Sequence, residues 1–271
     1  MKTTLPPLTP AAEDFTPTFF MDDDPLLPCA VGDVERVRAL LLELRGLMAD
    51  GIHFADNLLT WGRNMSAISD TAFQKAWTSN CVVHSDVSIM WRRYILCTTA
   101  YHCVQLDGDF VECGTLNGTG IKTIIDYFGK QQFFKRFWGY DTFDYNPVAS
   151  HSFSGQNEGL LQRVLDRFAT YPMVRIVPGL LPGSLIGASP ERIAFLHIDL
   201  NSAEYEVNVL DALFERMVDG GVLILDDYEW SGLYRAQKIA EDAWFEQRQH
   251  RVIPLPTGQG MVIKHSNART P

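Results

Sequence analysis

The sequence predicts an α/β fold: a largely parallel β-sheet with helices on both faces, an antiparallel hairpin at one edge and a helical cap in front. Two observations carry that prediction. From Asp107 onward, short apolar runs alternate with amphipathic segments, the order of right-handed βαβ units. At the end, RVIPL and MVIK are joined by PTGQG, a Pro/Gly loop of the kind that closes a hairpin. With 271 residues, 46% of them hydrophobic, the chain can build one large core, since a domain of this size buries roughly 75% of its unfolded surface.

The elements follow in order. Residues 1–32 form a Pro-rich N-terminal arm with the acidic run Asp22, Asp23, Asp24, which reads as a solvated charge run rather than a cation site. Residues 33–106 are expected to be a helical cap and lid region. Within it Val34, Val37, Leu41, Leu44 and Met48 recur at helical spacing between a candidate N-cap, Asp33, and a candidate C-cap, Gly51. This stripe can dock on the protein's own core or seat a second copy in a homo-oligomer. The polar stretch from Asn64 to Ser85 reads as a lid or a long surface loop, and Val87, Trp91, Tyr94, Ile95 and Thr98 mark a second helix to about Leu106. Residues 107–271 are expected to form the catalytic domain. Its strands are read at 109–114, 137–141, 174–179, 193–200 and 222–227, with helices at 118–129, 158–171, 204–218 and about 233–247 and a DGG turn before the fifth strand.

Composition narrows the function. A formal net charge of −10 repels a phosphate backbone and anionic lipid, so nucleic acid and membrane are not expected partners and small-molecule chemistry is favoured. The five cysteines, Cys29, Cys81, Cys97, Cys103 and Cys113, have neither CxxC nor zinc spacing and read as reduced thiols. MKTTLPPLTP lacks the basic-then-apolar order of a signal peptide, and the expectation is a cytoplasmic protein.

In an open α/β sheet, ligands bind outside the carboxyl ends of the strands. The first strand runs into ECGTLNGTG, where Glu112, Gly114, Thr115, Gly118 and Thr119 form a glycine-rich loop at a helix start. The spacing of Gly114, Gly118 and Gly120 is not that of the dinucleotide fingerprint, and Glu112 would repel a pyrophosphate but suits an ammonium group. Asp141 ends the second strand, 27 positions after Gly114, where a carboxylate can accept both ribose hydroxyls. Gly179 ends the third strand and permits close passage past a flat base. Asp199 ends the fourth, and Asp226 and Asp227 end the fifth. Three carboxylates at one sheet edge repel one another unless a hard cation such as Mg2+ sits among them.

Those stretches, with FWGYDTF, VRIVPGLLPGSL, AFLHIDLNSAEYEVNVLDALFERMVDGGVLILDDYEW and PLPTGQGMVIK, resemble class I S-adenosylmethionine-dependent methyltransferases of the macrocin O-methyltransferase type over about residues 85–265. The resemblance implies a Rossmann-like seven-stranded, mostly parallel sheet and Mg2+-dependent methylation of a hydroxyl, often on a sugar of a natural product. It implies that Glu112, Gly114 and Thr115 contact the methionine end of S-adenosylmethionine, Asp141 its ribose, and Asp199, Asp226 and Asp227 the metal, with Gly118, Thr119, Gly179 and Asp199 also facing the cofactor. The chain departs from the family's usual aspartate two residues after Asp199, where Asn201 stands.

For proton transfer the candidates are Asp199, His197 on the same strand face, and Lys238 on the following helix, with Tyr228 also near. His197 reads more readily as a hydrogen-bonded core histidine, and Lys238 also reads as a solvated helix residue. Trp61, Trp77, Trp91 and Trp230 can stack on a sugar or aglycone or simply pack, and Trp230 is the best placed. Two other readings compete: a non-catalytic S-adenosylmethionine-binding regulator or scaffold, and an NAD(P)-dependent oxidoreductase, the latter opposed by the glycine spacing.

Overall fold

A computed structural model describes residues 34–48, 52–144 and 158–266, so the Pro-rich arm, the Asp22–Asp24 run, Asp33, Gly51 and Cys29 lie outside the described residues. The chain folds as α1 (Val34–Leu47), β1 (Ile52–Ala55), β2 (Leu58–Trp61), α2 (Ser66–Ser69), α3 (Thr71–Asn80), α4 (His84–Ser88) and α5 (Met90–Cys103). The alternating part follows: β3 (Asp109–Cys113), α6 (Thr119–Phe128), β4 (Phe137–Asp141), α7 (Leu160–Phe168), β5 (Val174–Pro178), β6 (Ile193–Ile198), α8 (Ala203–Leu213), β7 (Met217–Leu225), α9 (Arg235–Glu246), β8 (Ile253–Pro254) and β9 (Gly260–Ile263).

The seven-stranded sheet has the order β5-β4-β3-β6-β7-β9-β8. Strands β3 to β7 pair in parallel, and β9 runs antiparallel to both β7 and β8, so this is the Rossmann-like sheet with a C-terminal antiparallel hairpin. The chain builds outward from β3 to β5 and then returns to β6 beside β3. The reversal in strand order therefore falls between β3 and β6, the place where such sheets bind ligands.

Side-chain alternation sorts the sheet into two cores. Phe110, Phe195 and Val222 face the helices α5 and α6, while Val111, Leu196, Leu223 and Val262 face α8 and α9. Register places Glu112 opposite His197, and both sit on the α5/α6 side with Phe110 and Phe195. Burying charge there demands partners.

Three parts differ from the sequence expectation. Residues 52–61 form an antiparallel hairpin whose two-residue turn, Asp56 and Asn57, has φ of 54° and 53°, the left-handed pair of a primed turn. The stretch from Asn64 to Ser85 is largely helical: Asp70 caps α3 by accepting from the Phe73 backbone N–H at 3.0 Å, and Phe73 is wholly buried against the core. The DGG segment is a bulge inside β7, since β6 residues Ile193 and Phe195 pair with Met217 and Val222. Of the α1 stripe, Val37, Leu41, Leu44 and Met48 are half-buried. Cys97, Cys103 and Cys113 are buried and, with Cys81, free of disulfides. No helix among the described residues is long and apolar enough to cross a membrane.

Candidate active site

The glycine-rich loop leaves β3 at the reversal point. Gly114, with φ of 94°, lies so close to β6 that a Cβ would stand 1.8 Å from the Asp199 carbonyl oxygen. No side chain fits there, and the close approach is what brings the ends of β3 and β6 together. Gly118, with φ of 72°, opens α6. Gly120 is pressed against Glu112: a Cβ would be 2.2 Å from Oε1.

Asp141 at the end of β4 reaches back to this loop. Its Oδ2 accepts from the Leu116 backbone N–H at 2.7 Å and its Oδ1 from that of Phe143 at 2.8 Å. Burial pushes its carboxyl up despite these amides. Its carbonyl accepts from the Gly179 N–H at 2.9 Å, which ties in the end of β5. Thr115 and Thr119 turn inward: the Thr115 hydroxyl donates to the Tyr140 carbonyl at 3.3 Å and that of Thr119 to Asp86 at 3.3 Å.

Three buried polar atoms along these strand ends have no hydrogen-bond partner: Glu112 Oε2, Asn117 Nδ2 and Ser184 Oγ. Ser184 lies beside Gly179, its Cβ 3.1 Å from where a Gly179 Cβ would be. Unsatisfied buried groups spread along one sheet edge fit a polar ligand that supplies their partners. The set suits S-adenosylmethionine: a carboxylate oxygen for the ammonium group, Asp141 for the ribose and a glycine with a hydroxyl at the third strand end. The sequence reading missed Asn117 and Ser184, which carry no motif of their own.

Beside this edge runs a row of buried charges. His197 Nδ1 stands 3.1 Å from Glu112 Oε1, and its Nε2 3.3 Å from Asp226 Oδ1. Burial alone would lower the imidazole, but the hydrogen bonds to Asp226 and Glu112 outweigh it and push it up to about 10. Both ring nitrogens are thus engaged by carboxylates, an environment that favours the protonated ring.

Asp226 Oδ1 also accepts from Gln259 Nε2 at 2.8 Å, and its Oδ2 from an Arg92 guanidinium nitrogen at 2.7 Å; the same nitrogen is 3.2 Å from Asp227 Oδ1. Burial opposes ionisation of Asp226, but Arg92 and His197 hold it well below the usual carboxylate range. Asp227 is pushed up to about 6 by burial. The structure thus brings Asp199, Asp226 and Asp227 to one edge, and His197, Asp199 and Asp226 each offer an atom within 4.8 Å of the others. A metal bridging Asp226 and Asp227 would nonetheless need oxygens that the guanidinium already holds. With those oxygens engaged, Asp226 and Asp227 do not fit a bridging Mg2+ in this arrangement.

Asp199 differs from its neighbours. Arg92 contacts Asp226 and Asp227, whereas the Asp199 carboxylate accepts from Asn201 Nδ2 at 3.4 Å. Asn201 holds φ of 55°, a left-handed turn that asparagine and aspartate tolerate. Burial and the charges of Asp226 and Asp227 push the Asp199 carboxyl well up. Lys238 lies on the exposed side of α9, paired with Glu229 at 2.9 Å and close over the Tyr228 ring, and the structure does not bring it to the carboxylates. Trp230 lies under the Arg92 guanidinium, 4.8 Å from its ring centroid.

Arg92 is a further group that sequence reasoning missed. A charged residue on a helix reads as solvated, yet Arg92 is 1% exposed. The available signal was MWRRY, two arginines inside an otherwise apolar helix of an acidic chain.

The sequence profile of the macrocin-O-methyltransferase (TylF) family matches residues 95–256, which span β3 to β8 and the charged row except Arg92 and Gln259. The chain belongs to the macrocin O-methyltransferase family. This methyltransferase is 27% identical over 196 residues to the 8-demethyl-8-(2,3-dimethoxy-α-L-rhamnosyl)-tetracenomycin-C 4′-O-methyltransferase of Streptomyces olivaceus, covering 62% of the chain and 72% of that protein. Its fold matches the apo structure of CalS11, a TDP-rhamnose 3′-O-methyltransferase, with a TM-score of 0.54 at 16% identity, over 87% of this chain and 97% of that one. The O-methyltransferase NovP matches with a TM-score of 0.54 at 19% identity, over 68% of this chain and 84% of that one.

Proposed function

We propose that this O-methyltransferase moves the methyl group of S-adenosylmethionine to a hydroxyl of a sugar or glycosylated natural product, with Asp199 taking the hydroxyl proton. The observation that carries the reading is the run of strand ends Glu112, Asp141, Gly179 and Asp199, along which buried polar atoms await a ligand. The curated relative named above, which methylates a rhamnosyl 4′ position by its name, supports a sugar hydroxyl as acceptor.

S-adenosylmethionine supplies an electrophilic methyl on a sulfonium, which leaves as a neutral thioether. The chain's own part is orientation and charge. Glu112 Oε2 and Asp141 hold the two ends of the donor, and the tight Gly114 turn fixes the distance between them and Asp199. The acceptor oxygen forms the new C–O bond in line with the breaking C–S bond, and its proton passes to an Asp199 carboxylate oxygen. His197, Arg92 and Gln259 fix Asp226, which keeps the floor of the site rigid.

Calorimetry with S-adenosylhomocysteine tests the donor half: the wild type should bind it, and Asp141→Ala should bind it at least about tenfold more weakly, for the loss of a charge-assisted pair of hydrogen bonds. No binding by the wild type would overturn the reading.

A further inference from the structure

We infer that Arg92 is the built-in cation of this site, standing between Asp226 and Asp227 where related enzymes are expected to place Mg2+, and that the protein holds no divalent ion there. The inference rests on the methyl-transfer reading for its consequence, but its evidence is the charged row itself.

A magnesium ion needs near-octahedral oxygen ligands at about 2.0–2.1 Å. Here one guanidinium nitrogen contacts Asp226 Oδ2 at 2.7 Å and Asp227 Oδ1 at 3.2 Å. Asp226 Oδ1 is taken by Gln259 at 2.8 Å and faces His197 at 3.3 Å. Both oxygens of the central carboxylate are thus occupied by nitrogen donors of the chain. An ion bridging Asp226 and Asp227 would meet the guanidinium at contact distance, where two positive charges in a site shut off from water repel strongly.

Nor is Arg92 a side chain that strayed into an empty site. The turn that carries it is clamped by Asp56, whose carboxylate accepts from the backbone N–H groups of Trp91 at 2.7 Å and Arg92 at 2.9 Å. That places a second buried carboxylate, on the β1–β2 turn, in service of the first turn of α5. The guanidinium is stacked over Trp230 on its other side. Backbone, ring and carboxylates hold it in one position, and moving it aside would strand a buried charge.

The test is direct metal binding to the full-length protein, without reference to turnover. Wild-type protein freed of metal by chelation should show no saturable heat on titration with Mg2+ or Mn2+, and Arg92→Lys, which keeps the positive charge, should behave the same. Arg92→Ala removes the cation and should gain saturable metal binding, with a melting temperature that rises with metal. Methyl transfer by the wild type should be unchanged by chelator. Saturable Mg2+ binding by the wild type that Asp226→Asn abolishes would overturn the inference. Should Arg92→Ala not fold, the wild-type titration decides alone. Failure of the methyl-transfer reading shows separately, as absent S-adenosylhomocysteine binding.

Discussion

Two groups of buried carboxylates lie on opposite sides of the sheet, and the protein keeps them apart by different means. On the α5 side, Glu112, Asp226 and Asp227 face His197 and Arg92, so each charge has a cation within hydrogen-bond reach. On the α8/α9 side, Glu206 accepts from Gln237 at 2.8 Å and from the Leu200 N–H at 3.1 Å, while both oxygens of buried Glu241 lack a partner. Burial pushes Glu206 well up and Glu241 up to about 7. In the first cluster the neighbouring cations hold Asp226 ionised, whereas in the second burial favours the protonated carboxyl. Ionisation near the strand ends suits a site for a cationic methyl donor, whereas the second cluster serves to pin α8 to α9.

The strongest way to break that contrast is to remove the cation. Arg92→Met leaves Asp226 and Asp227 buried without it and should cost about 3–5 kcal/mol of unfolding free energy, read by urea denaturation. An effect below about 1 kcal/mol would mean that the pair is solvated in solution.

The second cluster predicts a pH dependence of opposite character. Because the folded-state pKa of Glu241 lies above the unfolded value of 4.5, the folded state binds more protons between 4.5 and about 7. Stability should therefore fall as pH rises through that window, by roughly 2 kcal/mol, and Glu241→Gln should flatten the curve and be the more stable protein at pH 8. Equal slopes for the two proteins would show that Glu241 does not titrate in that window.

A smaller effect sharpens the first cluster. Gln259→Leu deletes a neutral donor to Asp226 and should cost about 1–2 kcal/mol, less than loss of the guanidinium because His197 and Arg92 remain. A cost equal to that of Arg92→Met would place the amide, not the cation, at the centre of the row.

The parallel strands were legible in the sequence because strands buried on both faces read as unbroken apolar runs, as in IAFLHI. The carboxylates were legible because topology fixes which strand ends meet. Arg92 was not, since it enters from a helix far away in the chain, and only tertiary packing shows that the helix face carrying it turns inward. The β1–β2 hairpin was missed although Asp56 and Asn57 form a recognisable two-residue turn, because its strands are only four residues each. Helix α3 was missed because its apolar residues are few, and its burial is set by packing on α6 rather than by periodicity.

One measurement tests the central claim most directly: transfer of labelled methyl from S-adenosylmethionine to a rhamnosyl-bearing acceptor, by wild type and Asp199→Asn. The account predicts that the variant binds S-adenosylhomocysteine as the wild type does while kcat falls by about 10²–10⁴, the loss of a proton acceptor. Equal turnover by the two proteins would contradict it.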